Sequence, residues 1–471
     1  MSEPLLEEIF RRSDKGPMCS DANWNKKIIP KSVKEKLETY GLKNTCTPED
    51  PIPVDDGLAD RFWEAGFDLA VDVGLLCTDT ERRIEISEEE IKARLKGLPK
   101  EMIMGSGKDM FIMKARKVED ERPPITNLGP FGIDMSPEYA VPIMMSSAQH
   151  RIIDWIHPGV VSEVKGIKSY TRRPIEMLVG RYEAELTEQA LRGVDRAGMP
   201  RHFIGISDVS CYGWFAGYLS KGTPSLAEPT FYVSLAGSAE LKIFHDMMKC
   251  AAFAHILGVI SHAYIHSMAG GFAGSPEGCV ICRIASTLLL TVAYKNIFSQ
   301  SSIYDIHYIG NCSREMIWAN SISSQAMARN SGVPMFCDTN NPVAGPNTEM
   351  ILQEAGVNAI NNAVDGASWV MGVRSAGGKY TDYSTGLENL FAAEVVHAAA
   401  GMKREDANEI VKKIIPKYED KLKRPPKGNS FPECYDPVRL IPSEEWKNKY
   451  LKVKKEFEDL GVPFDRIKRK Y

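Results

Sequence analysis

The chain has 471 residues, of which 43% are hydrophobic and 25% charged, and its formal net charge is −4. This is ordinary globular composition, and so small a net charge gives no overall field that would attract nucleic acid or an anionic membrane. Ten cysteines at irregular spacings do not make a disulfide scaffold, so we expect Cys279 and Cys282 to be reduced, buried thiols. These features favour a cytoplasmic protein with no nucleic-acid or membrane partner.

Residues 1–130 are predicted to form an N-terminal extension that is rich in charge and proline. Its first residues are acidic and amphipathic and lack the basic region of a signal peptide. One amphipathic helix is predicted near residues 57–75 and a second near residues 87–98. Ser87 and Glu90 have the spacing of a capping box, which marks the start of the second helix.

Residues 131–405 are predicted to form a (β/α)8 TIM barrel, because short apolar runs alternate there with longer helical patterns. The predicted strands lie at residues 157–164, 201–207, 231–235, 254–264, 304–309, 332–337 and 367–373. The apolar run at residues 285–293 is too short to span a bilayer and is predicted to be a buried helix. Residues 406–471 become charged again and are predicted to form a helical tail that wraps the barrel or an oligomer partner.

Two patterns typical of cofactor binding are not convincing in this context. Residues 305–310 match the D-x-H-x-x-G pattern by which corrinoid proteins offer a histidine to cobalt, but they lie in a predicted barrel strand, where a mobile loop ligand would be out of place. The glycines at residues 105–107 lack the first glycine of a phosphate-binding loop. No nucleotide cofactor is therefore expected.

A longer series of motifs runs along the chain in one order. It comprises Ala65-Gly66-Phe67, Cys77-Thr78-Asp79-Thr80, Gly270-Gly271-Phe272-Ala273-Gly274, Asn311-x-x-Arg314-Glu315, Ala344-Gly345-Pro346-x-Thr348-Glu349, Ser375-Ala376 with Gly378, and Glu433-Cys434-Tyr435-Asp436. Over residues 57–463 the chain thereby resembles the corrinoid-dependent monomethylamine methyltransferases. The resemblance implies an α/β TIM barrel and a homo-oligomer, for which a hexamer is one possibility. It also implies a small methylated substrate and a corrinoid, or cobalamin, carried by a separate partner protein rather than bound tightly by this chain.

The sequence departs from this family at the chemical centre. The family has pyrrolysine at the end of a barrel strand, surrounded by two glutamates and a glutamine. Counting along the resembling segments places the pyrrolysine position on Ser207 and the three polar positions on Ser234, Tyr264 and Thr339. Because all four positions have changed together, we take these residues as the candidate catalytic set of a pocket rebuilt for another donor.

The pyrrolysine imine is thought to capture and activate a poor amine leaving group, and a serine hydroxyl offers no such electrophile. One solution is a donor that is already activated, such as a quaternary ammonium or sulfonium. Aromatic faces attract such groups. Tyr212, Trp214, Phe215 and Tyr218 follow Ser207, and the first three are candidate substrate-binding residues together with Asn311, Arg314 and Glu315 at the cavity rim.

A second solution is a Lewis acid such as zinc, which would suit methanol or thiol donors. His262 and His266 flank Tyr264 and are expected to point inward, with Cys250, Cys279, Cys282, Asp305 and His307 as possible further ligands. A third hypothesis is a non-catalytic paralogue that docks a corrinoid protein, since Ser207 and Ser234 are chemically quiet. The sequence leaves these alternatives open.

Overall fold

The computed structural model describes residues 4–164, 166–168, 173–204, 231–331 and 336–467. Its centre is a sheet of eight parallel strands that closes into a barrel. Numbered first to eighth in chain order, the strands are Ile125–Leu128, Trp155–Ile156, Arg201–Ile204, Phe231–Ala236, Ile260–Tyr264, Phe298–Gln300, Phe336–Cys337 and Trp369–Met371. The (β/α)8 prediction is confirmed.

The barrel closes between its seventh and eighth strands. The Ser368 backbone N–H donates to the Phe336 carbonyl at 2.9 Å, and Thr339 pairs with Met371 in a parallel bridge. On its other side the eighth strand pairs with the first, Trp369 opposite Ile125. Each strand therefore has a neighbour on both sides, and no sheet edge is left open.

Helices cover the outside of the barrel and follow every strand except the third, whose connection falls in residues 205–230, outside the described residues. They are Ala140–Ala148, Ile175–Gly193, His245–Leu257, Pro276–Ala293, Arg314–Asn330, Glu349–Val364 and Gly386–Ala399. Pro276–Ala293 is the one described helix long and apolar enough to cross a membrane by length and composition. Almost all of it is buried, and it packs against Asp56–Val73 and Arg314–Asn330, so its apolar character matches its place in the core as predicted.

The N-terminal extension wraps one side of the barrel. Its helices are Leu6–Lys15, Asp21–Asn23, the π-helical turn Trp24–Ile28, Ile29–Thr39, Asp56–Val73 and Glu88–Gly97. The predicted capping box is confirmed: Ser87 accepts from the Glu90 backbone N–H, and the Glu90 side chain accepts from the Ser87 N–H. The short strand Leu75–Cys77 pairs with Arg82–Ile84 on one side and with Lys242–Ile243 on the other, while Glu101–Met104 pairs with Phe111–Lys114.

The tail contains Arg404–Ile414, Phe431–Cys434 and Glu444–Asp459, with 3-10 turns at Ile415–Lys417, Glu419–Lys421 and Phe464–Arg466. It packs on the barrel through buried polar bonds as well as apolar contacts. The Tyr418 hydroxyl donates to the Cys312 carbonyl at 2.7 Å, and the Trp446 indole N–H donates to Thr385 Oγ1 at 2.9 Å. Strands Tyr435–Asp436 and Ile441–Pro442 form a small hairpin within it.

Two strand predictions were wrong. Residues 304–309 do not form a barrel strand: the sixth barrel strand is Phe298–Gln300, and Ile303–Asp305 pairs with Ser267–Ala269 in a separate two-stranded sheet. The run 157–164 follows the second strand, Trp155–Ile156, instead of forming it, and its last residues, Glu163–Val164, pair with Ile167–Lys168 in a hairpin. The first strand, Ile125–Leu128, begins before residue 131. Short strands in parallel sheets carry little periodicity, so their ends are hard to locate from sequence.

Four large rings fill the barrel interior at one level. They are Trp155, Tyr232, Phe298 and Trp369, contributed by the second, fourth, sixth and eighth strands. Trp155 lies 4.5 Å from Tyr232 and 5.1 Å from Trp369 between ring centroids, and Phe298 lies 5.4 Å from Trp369. Residues from alternate strands form such layers in barrels of this type. We call these four residues the aromatic floor.

Candidate active site

Above the aromatic floor the barrel interior becomes polar. Two positions further along the same four strands are His157, Ser234, Gln300 and Met371, which point to the same side as the floor because strand side chains alternate. This direction leads to the carboxyl ends of the strands, where barrel enzymes carry their active sites. Four of the predicted site residues that the structure describes, Ser234, Tyr264, Thr339 and Asn311, are found here.

Ser234 and His262 share a hydrogen bond of 2.5 Å between Ser234 Oγ and His262 Nε2, and both residues are buried. The His262 ring rests on the floor, with its centroid 5.5 Å from those of Phe298 and Trp369. Burial lowers the pKa of His262 to about 3, and His157 adds to this shift. The imidazole is therefore neutral at physiological pH.

Tyr264, His266 and Tyr304 form a row of rings at the next level. The ring centroid of His266 lies 5.0 Å from that of Tyr264 and 4.8 Å from that of Tyr304. His266 Nδ1 accepts from the Ser302 backbone N–H at 3.2 Å. Burial lowers the pKa of His266 to about 3, and burial raises the pKa of Tyr304 to about 12, so these two groups are uncharged near neutral pH.

Thr339 lies on the seventh-strand side of the same space. Its hydroxyl accepts a hydrogen bond from Gln300 Nε2, and its backbone N–H donates to Ser302 Oγ at 2.7 Å. Asn311 is fully buried, and its Nδ2 donates to the Thr339 carbonyl at 2.7 Å. Asn311 therefore holds the backbone that presents Thr339.

Arg374 is a site residue that the sequence did not reveal. It comes three residues after the eighth strand, and its backbone N–H donates to the Asn340 carbonyl at 2.9 Å. Its guanidinium packs against Gly132 and Gly378, where an added Cβ would lie 2.9 Å and 2.6 Å from Arg374 Nε. Both glycines also have positive φ angles, which side chains rarely adopt. In the sequence, Gly378 of the motif Ser375-Ala376 with Gly378 was the one feature that could have indicated a constrained position at Arg374.

Several predicted site residues lie elsewhere. Ser207, Tyr212, Trp214, Phe215 and Tyr218 fall outside the described residues. Arg314 forms an ion pair with Glu419 of the tail, with Nε and Oε2 2.6 Å apart, and Glu315 is exposed at the start of the same helix. These two side chains point to the outer surface, whereas Asn311 supports the interior.

His262 and His266 both face the interior, as expected, but the other suggested metal ligands do not join them. Cys279 and Cys282 are buried free thiols in the outer helix Pro276–Ala293. His307 is exposed and hydrogen-bonds Asp305, so the D-x-H-x-x-G segment forms a turn at the barrel rim rather than a barrel strand. Within the described ranges, no cluster of three or more His, Cys, Asp or Glu side chains is arranged to hold a metal ion.

The described cluster therefore offers neutral imidazoles, phenols, an amide and hydroxyls, with the guanidinium of Arg374 beside them. None of these groups is an electrophile able to form an adduct with an amine. They can bind and orient a small molecule by hydrogen bonds and aromatic contact in a space from which water is largely excluded.

Comparisons with known proteins agree with this architecture. A family profile described as "Monomethylamine methyltransferase MtmB" matches residues 6–462. The chain is 30% identical over 467 residues to monomethylamine methyltransferase MtmB of Methanosarcina mazei, covering 97% of this chain and 98% of that protein. MtmB1 of Methanosarcina acetivorans gives the same identity and coverage.

Solved structures give the same result. The crystal structure of the Methanosarcina barkeri monomethylamine methyltransferase MtmB superposes with a TM-score of 0.91 at 28% sequence identity, covering 97% of this chain and 98% of that one. The structure of a hydroxylamine complex of MtmB matches equally well. The chain is therefore a methyltransferase that belongs to the monomethylamine methyltransferase MtmB family.

Proposed function

We propose that this methyltransferase moves a methyl group from a small onium donor, a quaternary ammonium or sulfonium, to the Co(I) of a corrinoid carried by a partner protein. Family membership supports the methyl transfer and the corrinoid partner. The single observation that carries the choice of donor is the make-up of the interior. By the resemblance, Ser234, Tyr264 and Thr339 stand at the family's polar positions; the rings around them are aromatic or neutral, and Arg374 is the charged group beside them.

The transfer is an in-line displacement in which Co(I) supplies the electron pair of the new cobalt–carbon bond. The bond between the methyl carbon and the onium nitrogen or sulfur breaks, and its electron pair stays on that atom, which leaves as a neutral amine or thioether. Because the leaving group is already activated, the protein needs only to position the methyl group. No covalent adduct is required, so a serine at the pyrrolysine position is compatible with activity.

In this scheme the rings of Tyr264 and Tyr304 face the onium group, where aromatic faces attract methylated cations. Ser234, held by His262, and Thr339, held by Gln300 and Asn311, fix the shape of the cavity through buried hydrogen bonds. Tyr212, Trp214 and Phe215 remain candidates for the same aromatic surface. Arg314 and Glu315 lie on the outer surface, and we assign them to the rim at which the corrinoid protein docks. A homo-oligomer also remains part of the proposal.

A donor panel tests this function. The purified protein is incubated with Co(I) cobalamin and either tetramethylammonium, trimethylsulfonium, glycine betaine, methanol or monomethylamine, and methylcobalamin is followed by absorbance. Methylation from an onium compound and none from monomethylamine is expected. Turnover of monomethylamine would overturn the choice of donor.

The same panel separates the alternatives. Methanol turnover that a chelator abolishes would favour a zinc enzyme, for which His262→Ala and His266→Ala are the first variants to make. No turnover of any donor, together with binding of a corrinoid protein, would favour a non-catalytic paralogue. Ser207→Ala is expected to retain onium turnover, because a serine hydroxyl takes no part in the displacement.

A further inference from the structure

The candidate site lacks the negative charges that would attract a simple cation. The resemblance places the family's two glutamates at Ser234 and Tyr264, so two negative charges that would favour a bound ammonium are missing. The imidazoles of His262 and His266 are neutral. Arg374 remains, and its charge acts on both Tyr264 and Tyr304. Among the described groups around this row, Arg374 is therefore the charge that no opposite charge offsets, because Arg283 and Asp338 pair with each other.

Arg374 has no ion pair or side-chain hydrogen bond with any residue in the described part of the chain. This is unusual, because the other deeply buried arginines are bound. The Arg283 guanidinium pairs with Asp338, and Arg116 donates to the carbonyls of Ala363 and Ala367. A guanidinium that is partly desolvated and left without an anion is costly, and none of the described residues supplies that anion, so an anionic ligand would relieve the cost.

The five fully buried carboxyls among the described residues are each bound elsewhere and do not neutralise Arg374. Glu240 accepts from Ser267 Oγ and the Met268 N–H, Asp338 pairs with Arg283, Glu354 accepts from the N–H groups of Val343 and Ala344, Asp365 accepts from Ser321 Oγ, and Glu388 accepts from Ser375 Oγ and the Thr385 N–H. None of them is free to turn toward the site without breaking these bonds.

The surroundings of Arg374 keep its guanidinium in place. Gly132 and Gly378 lie against it without side chains, so its position depends on both glycines. The adjacent ring row of Tyr264, His266 and Tyr304 is aromatic. An aromatic row that can attract a cation and a guanidinium that can bind an anion are thus close enough to act on one another.

We propose that Arg374 binds a carboxylate of the methyl donor, so that the donor is a zwitterion with an onium methyl group at one end and a carboxylate at the other. This inference rests on the proposed function and narrows its substrate class. The carboxylate pairs with Arg374 while the onium group lies against the tyrosines. Displacement leaves a neutral amine or thioether that still carries its carboxylate, so atoms and charge balance without a further reactant.

The test uses two donors of nearly equal size that differ in the carboxylate: glycine betaine and choline. Steady-state rates are measured with Co(I) cobalamin for the unmodified protein, Arg374→Gln, Arg374→Lys and Arg61→Gln. Arg61 is exposed on the helix Asp56–Val73 and serves as the matched control. Binding of both compounds to the protein alone is measured by calorimetry, which is independent of turnover.

The expected result is a KM and a Kd for glycine betaine at least tenfold below those for choline. Arg374→Gln should remove most of this preference, Arg374→Lys should keep part of it, and Arg61→Gln should keep all of it. Because the readout is a ratio between two donors, a general loss of folded protein does not imitate the result.

Three outcomes would overturn the inference. Equal use and equal binding of choline and glycine betaine would do so while leaving onium methyl transfer intact. A change in the KM for cobalamin, with an unchanged donor ratio in Arg374→Gln, would assign the arginine to the corrinoid's phosphate. Binding of neither compound would contradict the proposed anion site at Arg374. Turnover of monomethylamine alone would instead contradict the proposed function itself.

Discussion

The aromatic floor and the polar level above it occupy the same four strands and differ by two positions along each. At the floor the residues are Trp155, Tyr232, Phe298 and Trp369, and at the next level they are His157, Ser234, Gln300 and Met371. The floor residues contact one another directly, with ring centroids 4.5–6.2 Å apart. The polar residues instead bind partners from other strands, such as His262 and Thr339.

The difference shows which constraint acts on each level. A barrel interior needs large rings somewhere to exclude water, and the floor meets that need by itself. The polar level costs stability, because each buried group must find a hydrogen bond. Because it does not favour folding, we attribute its presence to the ligand binding proposed above. We therefore expect substitutions at the floor to lower the free energy of unfolding, and substitutions around the polar level to lower donor use.

The largest expected effect is on stability at the floor. Trp369→Ala removes an indole that stacks on Trp155 and contacts Phe298, and it is expected to lower the free energy of unfolding by about 3–5 kcal/mol. Urea denaturation measures this value. Trp63→Ala, on a partly buried ring in the extension, is the control and should cost clearly less. If Trp369→Ala lowers the free energy of unfolding by less than about 1 kcal/mol, the floor contributes little to the stability of the core.

The next effect concerns His262, which connects the two levels. Its folded pKa of about 3 lies below its unfolded value, so the unfolded chain binds the proton first and stability is lost as pH falls below about 6.5. At pH 5 this loss amounts to about 2 kcal/mol. His262→Gln should reduce the difference in unfolding free energy between pH 7.5 and pH 5 by that amount.

His255→Gln is the control for this measurement, because His255 is exposed on an outer helix. Its pH dependence should equal that of the unmodified protein. If His262→Gln also leaves the pH dependence unchanged, the imidazole is not held in the neutral form by burial, and the polar level is more hydrated than its packing indicates.

The smallest effect is on donor use at Tyr264. Tyr264→Ala is expected to lower kcat/KM for an onium donor by about 5- to 30-fold, about 1–2 kcal/mol, because one cation–π face is lost. Tyr264→Phe keeps the ring and should retain most of the activity. If the phenylalanine variant loses as much as the alanine variant, the hydroxyl and not the aromatic face contributes to catalysis.

The fold could be predicted from sequence to a large extent, and the site only in part. The capping box at Ser87 and the buried helix Pro276–Ala293 follow from local patterns, and both are confirmed. The sixth strand, Phe298–Gln300, was missed because three residues carry no readable period. The state of Arg374 could not be predicted, because its lack of a partner among the described residues depends on where the fold directs each of their carboxyls.

Arg116 lies in the N-terminal extension, yet its buried guanidinium donates to the carbonyls of Ala363 and Ala367. These groups lie between the end of the helix Glu349–Val364 and the start of the eighth strand, where unpaired carbonyls need a donor. The first strand, Ile125–Leu128, is the other neighbour of that strand. A chain shortened to begin at residue 131 would lose both, and the barrel would open along the eighth strand. A shortened chain that is to keep the closed barrel should therefore begin upstream of Arg116, so the extension and the barrel are expected to fold as one unit.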